Sequence, residues 1–510
     1  MIERAMFRPL FSILLPSRNR LELLKHALAS IQIQDFSDFE VIVSDNASDP
    51  PYADDLEAFA SLNVRIVRSD TPLSVTRNWN VAIEAARGDY AIMLGDDDAL
   101  TPGLLSRLSA SIRKFDKPDV IYQMAYHYAY PGVFESEQNG YFCSVNDTGL
   151  FDLADEPYEL EISLARKLGR QALNFHHEVS FNAQHFVWKL DYVRKIGFAP
   201  FFQSPYPDYF ACFATFLTAA KIVVVPSPEI IIGIAKQSFG FYFANSRQAE
   251  GTQQFLGEQI DDEGLAGGDQ RTLEALRHPG SVHTRSWLVA ALFVKRALGS
   301  QNAVSVDVRR YSRIQAFELA QRAGYLRTLG SEEFWADFKE LSPRGQAYTK
   351  ALLRTFRTLG RVHGFHKPSI SHGLFTLLNI YHTPKIHTID IGPHDNIMDP
   401  VRWLARDPAN DIVVAPPDSE VVVLSRQLQA LNSELSQIHA EHGAALAERD
   451  AILSQIHAEH GAALAERDAI LSQIHAEHGA ALAELDAIVN SSYWRAISPI
   501  RNFILRLRRI

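Results

Sequence analysis

The first hundred residues alternate short apolar runs with helix-spaced stretches, and this alternation restricts the fold more than any other feature. Phe11–Leu15 reads as a buried strand, Leu21–Ile31 as a helix, and Phe39–Ser44 and Val64–Val67 as further strands. Thr76–Ala86 then reads as a helix and Tyr90–Leu94 as a fourth strand. Strands that alternate with helices build a helix-covered parallel sheet, which takes ligands at the carboxyl ends of its strands. Three of these strands run out into polar residues: Pro16-Ser17-Arg18-Asn19, Asp45-Asn46-Ala47-Ser48 and Gly95-Asp96-Asp97-Asp98. Three polar loops therefore share one rim of one sheet.

The acidic loop carries the strongest chemical signal. Adjacent carboxylates repel one another unless a cation is near. Hard oxygen ligands suit Mg²⁺ or Mn²⁺, which keep positions open for phosphate oxygens. An isolated Asp-Asp-Asp run is usually a solvated turn; the buried strand before it and the two neighbouring loops favour a cation site here.

Four stretches, SILLPSRNR, FEVIVSDNAS, VTRNWNVAIEAARGDY and AIMLGDDDALTPGLL, fall in this order over about residues 10–105. Together they resemble the donor-binding half of the family 2 glycosyltransferases. The resemblance implies an α/β domain of GT-A fold with a mixed, mainly parallel sheet. It also implies a nucleotide-diphosphate-sugar donor, a glycan or lipid-linked saccharide acceptor, and inversion at the anomeric carbon. Pro16, Ser17, Arg18, Asp45 and Asn46 would hold the nucleoside, and Arg77, beside Asn78, would lie against the nucleotide. Aligned on Pro102, the family's usual first Asp falls on Gly95. That leaves Asp97 and Asp98 as metal ligands with Asp96 toward the donor, or Asp96 and Asp98 as ligands in a shifted register.

The stretch SFNAQHFVWKLDYVRKIGFAPFFQSPYPDYFACFATFLTAAKIVVVP resembles the family's second half. It puts Asp208 at the position of the catalytic base, with Pro207 where the family usually has Glu. A helix-capping role competes for Asp208, and Glu178 is the alternative base. Asp191 reads as a surface helix start, and His176, His177 and His185 lack metal-ligand spacing. Two rivals remain. A nucleotidyltransferase usually has a glycine-rich first loop, which SILLPSRNR lacks. A non-catalytic nucleotide-sugar-binding or coiled-coil scaffold is disfavoured by Asp97, Asp98 and Asp208, but Gly95 keeps it open.

A chain of 510 residues exceeds one ordinary core. The expected units are a GT-A domain over 1–243, a mostly helical region over 244–385 and a linker over 386–424. Helical repeats over 425–490 and a basic amphipathic tail over 491–510 follow. The linker is inferred from Gly392-Pro393, Asp399-Pro400, Asp407-Pro408 and Pro416-Pro417. The repeat LSQIHAEHGAALAERDAI starts at Leu435 and Leu453, and again at Leu471 with Leu485 in place of Arg. Its eighteen-residue period is five helical turns, so a coiled-coil-like homo-oligomer is expected, weakened where Arg449 and Arg467 interrupt the aliphatic seam. In the tail, Ile500, Phe503, Ile504 and Leu507 form a stripe flanked by Arg501, Arg506, Arg508 and Arg509, which suits an anionic membrane surface.

A net charge of −10 argues against nucleic acid as a partner. Two cysteines, Cys143 and Cys212, provide no disulfide framework. With no signal-peptide pattern at the start and no transmembrane-length apolar run, the expectation is a cytoplasmic protein, peripheral on the inner face of the membrane.

Overall fold

The computed structural model describes residues 8–134, 139–244, 260–299, 304–325, 332–341, 343–363, 385–406 and 465–487. The first half is the expected alternation. β1 (Phe11–Ser17) leads to α1 (Leu21–Gln32), β2 (Phe39–Asn46) and β3 (Val64–Ser69). α2 (Val75–Ala85), β4 (Tyr90–Met93), β5 (Ala99–Leu100) and α3 (Leu104–Lys114) follow. β1 is buried along almost its whole length, as a strand covered on both faces must be.

β6 (Val120–Ala129), β7 (Tyr141–Asn146), β8 (Tyr158–Leu160) and α4 (Ile162–Leu173) form the next stretch. β9 (Phe186–Lys189), α5 (Leu190–Lys195), α6 (Pro207–Thr218) and β10 (Ile222–Ile234) complete the sequence-contiguous part. One mixed sheet runs β11-β7-β6-β9-β4-β1-β2-β3, where β11 is Lys385–Thr388, and β10 joins it beside β6. β1 to β4 pair in parallel, while β9 is antiparallel to both β4 and β6. This is the α/β architecture with a mixed sheet that the GT-A resemblance implies.

The helical region is continuous with this core. Helix Val282–Leu298 sends Trp287 into the layer formed by Phe175, Phe181 and Phe213. The Trp287 indole N–H donates to the Ala172 carbonyl at 2.6 Å, and its ring lies 4.8 Å from Phe181. Truncating such a buried aromatic costs about 3–5 kcal/mol. The described residues between 260 and 363 are mostly helical, and through Trp287 they share a core with the sheet.

The expected linker is corrected over its first part. β11 pairs antiparallel with β7, and Ile389, Ile397, Met398 and Val401 are buried against Tyr128, Phe142 and Ile231. Helix Met398–Arg406 accommodates Pro400 because its third position lies in the first turn, where an N–H has no intrahelical partner. Residues 407–424 lie outside the described residues.

Residues 465–487, the end of the second repeat and most of the third, are helical and exposed throughout. The first two repeats up to residue 464, including Arg449, and the tail 491–510 lie outside the described residues. Among the described residues, no helix is long and apolar enough to cross a membrane.

Candidate active site

The three polar loops meet on one rim, as the parallel register requires: Ser17 stands opposite Asp45 across the β1–β2 pair. The acidic run leaves β4 as a turn in which the Asp98 N–H donates to the Gly95 carbonyl at 3.2 Å. The three carboxylates have different surroundings. Asp96 is buried and accepts from the Ser17 hydroxyl at 2.7 Å and from the Arg20 guanidinium at 2.9 Å. Arg20 also donates to the Gln237 carbonyl, so it ties the acidic loop to the chain after β10.

Asp98 points inward. Its Oδ1 accepts from the Gly233 N–H at 2.8 Å, and its Oδ2 accepts from the Gly95 N–H at 2.7 Å and the Gln184 amide at 2.6 Å. A Cβ at Gly95 would lie 2.5 Å from Asp98 Oδ2. Glycine at position 95 therefore makes room for this inward carboxylate. Burial pushes Asp98 up to about 6 despite its three donors.

Asp97 alone of the three has an unsatisfied oxygen: Oδ2 is buried with no hydrogen-bond partner. Burial first, then the charges of Asp98 and Asp96, push its pKa well above the usual carboxylate range. A cation against Oδ2 would relieve both penalties, so the donor set fits a hard divalent ion. Among the described residues no three His, Cys, Asp or Glu side chains form a ready-made metal cage.

The remaining donor-side residues divide between scaffold and surface. Asp45 is buried; its carboxylate accepts from Arg68 and from the Ser48 N–H at 3.0 Å, so it shapes its own loop. Asn46 brackets Leu73, donating to its carbonyl at 3.0 Å and accepting from its N–H at 2.7 Å, which sets the entry to α2. Asn78, next to Arg77, accepts from the Ser44 hydroxyl at 2.7 Å. Pro16 is half-buried, while Arg18 and Arg77 are exposed. Arg77 lines a cavity of about 410 Å³ with Asn80, Phe202, Ser204, Phe293 and Arg296, and none of the acidic-loop residues lines that cavity.

Asp208 occupies the first turn of α6, behind Pro207 at the first helical position. Its Oδ1 is buried without a partner. A helix N-terminus alone would hold a carboxylate ionised. Here burial outweighs it and, with the charge of Asp98 second, raises Asp208 to about 7. That influence also places Asp208 within electrostatic reach of the acidic loop. The next residue, Tyr209, bonds through its hydroxyl to His283 Nδ1 at 2.7 Å, so the helical region braces α6.

Glu178 is half-buried, and its backbone carbonyl accepts from the Thr148 hydroxyl at 2.7 Å. Asp191 pairs with Arg8 at 3.2 Å on the surface. His185 is buried with Nδ1 on the Gln123 carbonyl at 2.7 Å, and His177 packs edge-on to Phe181 at 4.7 Å. Arg20 and Gln184 lie inside the motif-bearing stretches without a signal of their own, and Gly233 and Arg68 lie outside them. All four enter the site through contacts made across the sheet.

Residues 12–179 match the family described as glycosyl transferase family 2. A PGL/p-HBAD biosynthesis glycosyltransferase of Mycobacterium bovis is 33% identical over 120 residues, 23% of this chain and 47% of that protein. A GalNAc(5)-diNAcBac-PP-undecaprenol beta-1,3-glucosyltransferase of Campylobacter jejuni is 35% identical over 103 residues, 20% of this chain and 33% of that protein. The chain thus spans less than half the length of these curated relatives. The crystal structure of S. aureus TarS 1-349 in complex with UDP-GlcNAc aligns over 73% of this chain and 89% of that one, at 14% identity and a TM-score of 0.38. Residues 12–179 are thus similar to the family 2 glycosyltransferases.

Proposed function

We propose that the chain transfers a single sugar, with inversion, from a nucleotide-diphosphate-sugar donor to a glycan or lipid-linked saccharide, in surface polysaccharide biosynthesis. One observation carries this reading. Within a family 2 segment, an acidic loop with one unsatisfied carboxylate oxygen lies within electrostatic reach of a second carboxylate, Asp208, poised near neutrality. Asp208 accepts the proton of the acceptor hydroxyl as that oxygen bonds to the sugar C1 and the bond from C1 to the diphosphate breaks. A Mg²⁺ or Mn²⁺ ion held by Asp97, with Asp98 beside it, supplies Lewis-acid stabilisation of the leaving diphosphate when bound.

Pro16, Ser17, Arg18, Asp45, Asn46, Arg77 and Asp96 frame the donor nucleotide. Self-association through 425–490 and contact of 491–510 with an anionic inner membrane face belong to the same proposal, and would keep the enzyme near a lipid-linked acceptor.

The test is a screen of UDP-, GDP-, dTDP- and ADP-sugars with and without Mn²⁺. A donor present at about 100 times its Kd should stabilise the fold by roughly 2.7 kcal/mol and release nucleoside diphosphate on turnover. Asp97→Asn should abolish the Mn²⁺-dependent part of both signals while retaining the parent's unfolding temperature in the absence of donor. A parent protein that neither binds nor consumes any of these donors rejects the enzyme and leaves a scaffold.

A further inference from the structure

Tyr130 stands immediately after β6, at the rim beside the acidic loop. Its place is fixed by backbone: its N–H donates to the Ile234 carbonyl at 3.1 Å. The residue before Ile234 is Gly233, whose N–H holds Asp98 Oδ1. A Cβ on Gly233 would fall 1.8 Å from the Asp97 carbonyl oxygen, so this strand end and the acidic loop are in backbone contact. The Tyr130 ring is held edge-on by Tyr128 at a centroid distance of 5.0 Å. Its hydroxyl is buried and has no hydrogen-bond partner.

Burial, then Asp97, Tyr128, Asp98 and Asp96 in that order, push the phenol above its ordinary range. It therefore remains protonated and can always donate. Two adjoining segments thus present a donor without an acceptor, Tyr130, and an acceptor without a donor, Asp97 Oδ2. Buried polar groups of folded proteins are nearly always partnered, so a pair of exceptions at one place calls for a ligand that satisfies both. A diphosphate with its cation has the required polarity: the cation serves the carboxylate and a phosphate oxygen accepts from the phenol.

We infer that the Tyr130 hydroxyl is a donor-binding group that hydrogen-bonds a diphosphate oxygen of the nucleotide sugar seated at Asp97. The inference rests on the proposed function. Tyr128 is the internal control. Its hydroxyl is also buried and unpartnered and its ring packs on the same cluster, but its charged neighbours are Asp399 and Asp395.

The experiment measures by calorimetry the binding of UDP, GDP, dTDP and ADP, each with Mn²⁺, to the full chain and to Tyr130→Phe, Tyr128→Phe and Asp97→Asn. Tyr130→Phe should bind the preferred diphosphate about 10- to 100-fold more weakly, the loss of one hydrogen bond to a charged group, at an unchanged unfolding temperature. Tyr128→Phe should match the parent. Parental affinity in Tyr130→Phe overturns the inference. So does an equal loss in Tyr128→Phe, which would make both effects packing. A parent that binds none of the four, with Asp97→Asn indistinguishable from it, removes the proposed function and this inference together. Loss of binding in Asp97→Asn alone removes only the inference.

Discussion

The loops that frame the rim and the groups they enclose differ in how they treat polar atoms. In the frame, buried polar side chains have protein partners: Ser17 and Arg20 on Asp96, Arg68 and Ser48 on Asp45, Leu73 on Asn46. Among the enclosed groups, Asp97 Oδ2, Asp208 Oδ1 and the Tyr130 hydroxyl are buried and unpartnered. Satisfied groups hold loops in shape. Unsatisfied ones cost stability until a ligand arrives, and such costs concentrate at functional sites. The motif residues of the rim thus build the frame, and fewer, less conspicuous groups are left to react.

The sharpest break of that comparison is Asp208→Asn. As a general base it should lower kcat by about 10²–10⁴, with nucleoside diphosphate affinity within a few-fold of the parent. Near-normal kcat in this variant, together with a loss in Glu178→Gln, would transfer the role to Glu178. Next comes the frame itself. Gly233→Ala puts a methyl into the Asp97 carbonyl, a backbone atom that cannot yield, and should cost about 1–3 kcal/mol in thermal unfolding as well as donor affinity. Gly149→Ala, with nothing within 4 Å of the new carbon, should leave donor affinity unchanged.

A third variant tests whether an unsatisfied carboxylate outside the acidic loop acts on stability alone. Glu318 accepts from Thr284 at 2.9 Å, its other oxygen is buried and unpartnered, and burial raises its pKa to about 8. The folded state then binds a proton that the unfolded chain releases near 4.5, so stability falls as pH rises between those values and levels off above about 8. Glu318→Gln should unfold at a higher temperature than the parent, by a margin that grows from pH 5 to pH 8 and then stays constant. A margin independent of pH would show that the carboxyl does not titrate in this window.

The strand–helix alternation of the first half is legible in sequence because β1, β2 and β4 are largely buried runs that end in polar residues, so period and punctuation agree. Asp96, Asp97 and Asp98 are legible as a cluster, but their division of labour is not. It depends on Gly233 and Gln184, which approach from elements far along the chain, and on the space left at Gly95. Asp208 is legible as a helix-start carboxylate, whereas its upward shift is set by three-dimensional burial. Residues 386–406 are misread for a physical reason: glycine and proline punctuate linkers, but Pro400 also fits the first turn of a helix, and Gly392 adopts φ 74° in an exposed turn between the buried Ile389 and Ile397.

The late return of β11 has a consequence for synthesis. Lys385 pairs with Asp152 across 233 residues of chain, so the β7 edge has no partner until the helical region has been made. Until then a growing chain presents an open row of backbone donors and acceptors, a template for pairing with other nascent chains. Fragments that stop before residue 385 keep this open edge permanently. Expression of the first half alone, cut at 243, should yield aggregate, and cutting just beyond 406 should yield protein that remains in solution.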